Sequence, residues 1–184
     1  DDCENAFSVG ADAALLFETY DATTDGPAEF DCDYFDGVND ADIWYRYTAE
    51  CDGDLTVSLC GSEFDTKLAV YSANCPTGPG ETLACNNDAC GEQSEVTLAV
   101  VEGNEYLIRI GGVDGAVGTG SLSVSCTPSA AVVNDDCEDA LAVVDGMTEF
   151  DATGATTDGP AEPGCEYFSG TNDADIWYAY TAAC

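Results

Sequence analysis

Apolar and polar residues alternate with a period of two through most of the first 126 positions, the pattern of strands with one face buried. Ile43, Tyr45 and Tyr47 share one face. Leu55, Val57 and Leu59 follow after the turn signal Asp52-Gly53, which reads as a tight hairpin. Leu68 with Val70, Val96 with Leu98 and Val100, Tyr106 with Ile108 and Ile110, and Leu122 with Val124 continue the series, with Ser121, Ser123 and Ser125 in the alternate positions. Strands at Leu15–Tyr20 and Thr82–Ala84 bring the number to about eight, with no helical periodicity of useful length. The predicted fold is all-β, an antiparallel β-sandwich of jelly-roll-like topology. Asp21–Gly37 lacks alternation and carries Gly26-Pro27, so it reads as a long surface excursion pinned by Cys32, and Pro76–Gly80 reads as a second loop.

The pattern restarts in the last third of the chain. Ala22–Glu29 returns unchanged as Ala155–Glu162, and Asn39–Cys51 returns with few changes as Asn172–Cys184, both at an offset of 133 (155 − 22 and 172 − 39). That period is the size of a domain, far longer than a solenoid repeat. The expected organisation is a complete sandwich over 1–126, an extended linker over 127–133 and the first part of a second repeat over 134–184. The second copy has no counterpart of Asp52–Cys126, so Ile176, Tyr178 and Tyr180 are expected to face water. Cys137, Cys165 and Cys184 are odd in number, and Cys184 is expected to find its partner outside this segment. Further repeats of the same chain, or copies of itself, are the expected partners.

Charge narrows the class of partner. With 37 acidic residues against 3 basic ones the net charge is -34, which excludes nucleic acid and anionic membrane surfaces. Membrane insertion through a helix is excluded by the absence of a long apolar run. The chain contains no histidine, so a Ser-His-Asp triad, a Cys-His dyad and a zinc site of two cysteines and two histidines are all excluded. No two of the 11 cysteines are separated by just two residues, which argues against thiolate zinc sites and for disulfides, hence an extracellular or cell-surface location. Cys85 and Cys90 bracket a short loop and suggest a local pair. The eight cysteines of the first copy, which also include Cys3, Cys32, Cys51, Cys60, Cys75 and Cys126, allow 105 pairings.

Clusters of hard oxygen ligands point to calcium at Asp40, Asp42, Asp65, Asn86 and Asp88, although none has EF-hand spacing, and Asx turns at strand ends account for the same residues. The three cations, Arg46, Lys67 and Arg109, lie out of phase with the apolar set of their strands and are expected on the outer faces, exposed and paired with Asp42, Asp65 or Glu105. An outward Lys67 is preferred to a Lys–Asn or Lys–Asp isopeptide, since sandwich strands commonly carry exposed lysine. Nothing in the pattern calls for catalysis.

Several motifs resemble a known family. Asp1-Asp2-Cys3-Glu4-Asn5-Ala6, Asp42–Thr48, Phe64–Tyr71, Leu83–Asp88 and Tyr106–Gly112 are similar to the bacterial pre-peptidase C-terminal domain, in its cysteine-rich, repeated form. The resemblance implies a calcium-binding or calcium-tolerant β-sandwich of secreted proteins, some of which bind matrix or polysaccharide. The expected function is a non-catalytic structural repeat of an extracellular fibre or surface layer, and the alternative is a calcium-dependent glycan- or matrix-binding module.

Overall fold

The computed structural model describes residues 2–11, 13–30, 32, 37–129, 132–156 and 174–182. The chain divides into two compact units, Asp1–Pro128 and Ser129–Cys184.

Among the described residues of the first unit nine strands follow one another: β1 (Phe7–Val9), β2 (Ala13–Glu18), β3 (Asp40–Thr48), β4 (Gly53–Ser58), β5 (Thr66–Ser72), β6 (Thr82–Asn86), β7 (Glu95–Val100), β8 (Glu105–Gly112) and β9 (Thr119–Pro128). One sheet has the order β1-β3-β8-β5-β6 and the other β2-β9-β4-β7. All pairings in them are antiparallel except β1 with β3. Tyr45, Tyr47, Leu68, Val70, Ile108 and Ile110 from the first sheet meet Leu55, Val57, Val96, Leu122 and Val124 from the second in one buried cluster. These are the alternating positions of the sequence, so the inner faces follow the period-two pattern directly.

Two features differ from the sequence reading. Asp52-Gly53 does not close a hairpin, because β3 and β4 lie in different sheets; the chain crosses between them there, and β4 pairs with β7 and β9. The three-residue β1 extends the first sheet through a parallel pair with β3, matching Phe7 to Tyr45 and Val9 to Tyr47.

The first sheet is covered on its outer face as well. Trp44, Ala69, Tyr71 and Leu107 form a second buried cluster there, with Cys3, Cys75 and Cys85 packed against it. The segment before β3 runs over this face: Glu29 N–H donates to Gly37 O at 2.7 Å, and Asp42 N–H donates to Thr23 O at 2.8 Å. A Cβ at Gly26 would fall inside the Arg109 guanidinium, so only glycine lets this backbone descend so close to the sheet.

Among the described residues four disulfides join Cys3–Cys75, Cys32–Cys85, Cys51–Cys126 and Cys60–Cys90. The local Cys85–Cys90 pair expected from spacing is therefore corrected. Cys85 lies in β6 in register with Ala69, facing the covered side where Cys32 descends, and Cys90 lies beyond the strand end opposite Cys60.

In the second unit β10 (Leu141–Val143) pairs in parallel with β11 (Tyr178–Tyr180), Leu141 opposite Tyr178 and Val143 opposite Tyr180. This is the β1–β3 register shifted by the sequence repeat. The correspondence extends to the backbone: Ala41 and Ala174 both have positive φ, 49° and 57°. Asp175 N–H donates to Thr156 O at 2.9 Å as Asp42 N–H does to Thr23 O. Tyr180 is 54% exposed and Leu141 42%, so this pair buries little of its apolar surface. Cys137 is exposed, while Cys165 and Cys184 lie outside the described residues.

Candidate functional site

Charge placement departs furthest from expectation. Arg46 does project outward, 27% exposed, and pairs with Glu105 at 3.3 Å. Lys67 and Arg109 are fully buried, because the outer face they point to is the one the loop covers. Period-two phase places them on the correct face; it does not reveal the cover.

Arg109 is the hub of this covered face. Its Nε donates to Asp42 Oδ2 at 2.9 Å and its Nη2 forms a second, short bond to the same oxygen. Nη1 donates to Pro27 O at 2.6 Å and pairs with Glu29 Oε1, while Nη2 also reaches Asn39 O at 3.2 Å. The guanidinium lies 5.4 Å from the Trp44 ring centroid, within cation–π range. Trp44 Nε1 donates to Asp25 Oδ1 and Asp42 Oδ1, each at 3.1 Å, and Tyr71 Oη donates to Glu29 Oε1. Lys67 Nζ donates to Val38 O at 3.1 Å. The bonds to Pro27, Glu29, Val38 and Asn39 join the loop to the sheet, and Asp42, itself in β3, accepts from the loop through Asp25 N–H at 3.3 Å and Gly26 N–H at 3.4 Å, so these groups hold the cover down.

Burial sets the protonation behaviour. It pushes Asp42 up to about 6; a hydrogen bond with Asp25 adds to the rise and the Arg109 charge opposes it. Burial and the Glu29 charge also push the Tyr71 phenol up. Burial pulls Arg109 down, but the facing carboxylates of Glu29 and Asp42 outweigh it and hold the guanidinium above its ordinary value. With both cations at zero exposure, no dissolved anion meets them unless the loop lifts.

The residues read as calcium ligands are distributed separately. Asp42 is engaged by Arg109. Asp40 Oδ2 accepts from Gly115 N–H at 2.8 Å, and Asn86 Oδ1 accepts from Glu95 N–H at 3.3 Å, each tying its strand end to another segment. Asp65 O accepts from Val113 N–H at 3.2 Å, and Asp88 is exposed. Among the described residues no three carboxylate or thiol side chains come together as a group that could hold a metal ion. Open clefts lie on the surface of the first unit. One of about 500 Å³ lies along β2 and β9, lined by Leu16, Glu18, Glu63 and Ser121. Another, of about 370 Å³, lies between Asp2, Glu4, Asp25 and the edge of Trp44 beside the Cys3–Cys75 disulfide.

Two face-packed sheets, four disulfides and an ion cluster sealed by a loop define a β-sandwich module of the kind built for oxidising, extracellular surroundings. The chain belongs to the T9SS-associated galactose binding domain-like family, whose model matches residues 1–124, and it is accordingly a secreted or surface protein. No curated protein matches it. Similar solved structures include the pre-peptidase C-terminal domain of a Bacillus anthracis collagenase, the domain type the strand motifs resemble. It is 14% identical, with TM-score 0.48, and the match covers 68% of this chain and 99% of that one. The Aeromonas hydrophila periplasmic inhibitor of g-type lysozyme, PliG, is 17% identical with TM-score 0.37, over 65% of this chain and 97% of its own. The CBM36-1 domain of a multidomain xylanase from the hindgut metagenome of Trinervitermes trinervoides is 18% identical with TM-score 0.32, over 64% and 100%.

Proposed function

We propose that the chain is a non-catalytic structural module of a secreted surface protein, in which disulfide-braced sandwiches repeat along a fibre or surface layer. The observation that carries this reading is the use of its buried charges: Arg109 and Lys67 of the sheet hold Pro27, Glu29 and Val38 of the loop, and Asp42 is engaged by Arg109 while accepting from the loop's Asp25 and Gly26 N–H. The second unit supports it by reproducing the β1–β3 register, the positive-φ alanine and the loop contact at the repeat distance. Cys137, Cys165 and Cys184 stand in the sequence where Cys3, Cys32 and Cys51 stand, and in the first unit each of those three is bonded to a cysteine further along the same repeat. Copies of the same module are the partners this arrangement suits. Calcium serves in this reading as counter-charge to the acidic surface.

Electron microscopy of the material isolated from its native surface tests the proposal. Filaments or a layer with a domain-length repeat are expected. Dispersed particles that bind a defined sugar on a glycan array, with calcium required, would overturn it. That outcome would favour the second reading, a glycan-binding module, which the family description and the cleft between Asp25 and Trp44 support.

A further inference from the structure

We propose that Lys67 and Asn39 become joined by an intramolecular isopeptide bond within the covered face of the first sheet. The inference rests on three side chains in one buried cluster and does not depend on the reading of the protein as a structural repeat.

Asn39 is fully buried, yet neither Oδ1 nor Nδ2 has a hydrogen-bond partner, an arrangement that is costly for an amide removed from water. Its position is well defined. The amide carbon lies 3.2 Å from where a Cβ on Gly111 would stand, so the amide occupies the space that glycine leaves on the outer face. Gly111 is the register partner of Lys67, whose side chain is fully buried on that same face. Lys67 Nζ donates at 3.1 Å to Val38 O, the carbonyl that precedes Asn39. Amine and carboxamide are thereby brought to one place by a sheet register on one side and a peptide neighbour on the other.

The third group is Glu29. Its Oε1 is taken by Arg109 and Tyr71, but its Oε2 is buried without a partner, and the same guanidinium donates to Asn39 O. A metal ion is a poor answer to these unpaired atoms, since two cations already occupy the cluster and Nδ2 offers no lone pair. In the proposed step Nζ attacks Asn39 Cγ, the new Nζ–Cγ bond forms and the Cγ–Nδ2 bond breaks. Glu29 Oε2 relays the two protons Nζ sheds to the departing nitrogen. Alkylammonium plus carboxamide becomes a secondary amide plus ammonium, with no oxidant or cofactor. The product carries fewer unsatisfied polar atoms than the reactants.

The sequence makes the test simple, because its only basic residues are Arg46, Lys67 and Arg109. Mass spectrometry of the folded, then reduced and alkylated protein is expected to show a mass lower than the sequence by one ammonia. Trypsin is expected to leave residues 1–46 joined to 47–109, with no cleavage after Lys67. A full-length mass and release of a peptide ending at Lys67 would overturn the proposal. Lys67→Arg is expected to restore the full mass. Asn39→Asp, which keeps the side-chain shape, is expected to link with loss of water instead of ammonia. Glu29→Gln, if folded by circular dichroism, is expected to stay unlinked, and a linked Glu29→Gln protein would overturn the relay.

Discussion

Replacing Arg109 with methionine keeps an unbranched apolar stem over the sheet and removes every charge-assisted contact the guanidinium makes. Asp42 loses two bonds and Glu29 one, and the carbonyls of Pro27 and Asn39 lose their donor. Removing one partner of a buried ion pair costs about 3–5 kcal/mol because the remaining charge is stranded. Each carbonyl left without a donor adds about 1–3 kcal/mol unless water follows. Lifting of the loop and protonation of the carboxylates limit the total, so about 4 kcal/mol is the expected loss from a stability of order 5–15 kcal/mol. Guanidinium denaturation of the oxidised protein measures it. The carboxylates left behind escape their penalty by taking up protons, so the loss is expected to be smaller at pH 5 than at pH 8, and Asp42→Asn added to Arg109→Met is expected to recover part of it. A loss under about 1 kcal/mol, independent of pH, would refute the idea that this guanidinium fastens the loop.

Replacing Cys32 and Cys85 together with serine opens a loop of 53 residues and is expected to cost about 4 kcal/mol by loop entropy, with faster limited proteolysis between residues 21 and 38 as the companion readout. For pH, the folded Asp42 pKa of about 6 stands above its ordinary 3.8, so between those values the folded state holds a proton the unfolded chain has released. Stability from this group falls as pH rises through that window, by about 3 kcal/mol at most. The net charge of -34 acts in the same direction, so the melting temperature is expected to be higher at pH 5 than at pH 8, and the reverse order in a thermal scan would contradict both arguments.

Much of the fold is legible in the alternation. The eight strands read from Leu15 to Val124 are present, because burial of one face leaves a direct record at every second residue. β1 is too short to show a period, and Asp52-Gly53 has hairpin chemistry while serving a crossing between sheets, a distinction that depends on distant pairing. The site is readable in part: Asp42 and Glu105, two of the three carboxylates the sequence offers to the cations, pair with Arg109 and Arg46, whereas Lys67 and Arg109 are buried and not exposed. A signal existed. Leu68-Ala69-Val70-Tyr71 and Tyr106-Leu107-Ile108 are continuous apolar runs, the mark of strands buried on both faces, and Trp44 between Ile43 and Tyr45 repeats it. Glu29 carries no such mark, since nothing local distinguishes it from the other acidic residues of an aperiodic loop.

The order of the disulfides limits how far the first unit can be drawn out under tension. A pull entering at Cys3 passes through its bond to Cys75, along fifteen residues to Cys90, across to Cys60, back along nine residues to Cys51 and out through Cys126. At about 3.5 Å per residue, with about 6 Å for each of the three disulfide crossings, that covalent path extends to only about 100 Å, whereas the same span without crosslinks would reach about 430 Å. Even a sandwich torn fully open would yield a short tether, and a string of such modules would resist lengthening where an unbraced chain would uncoil.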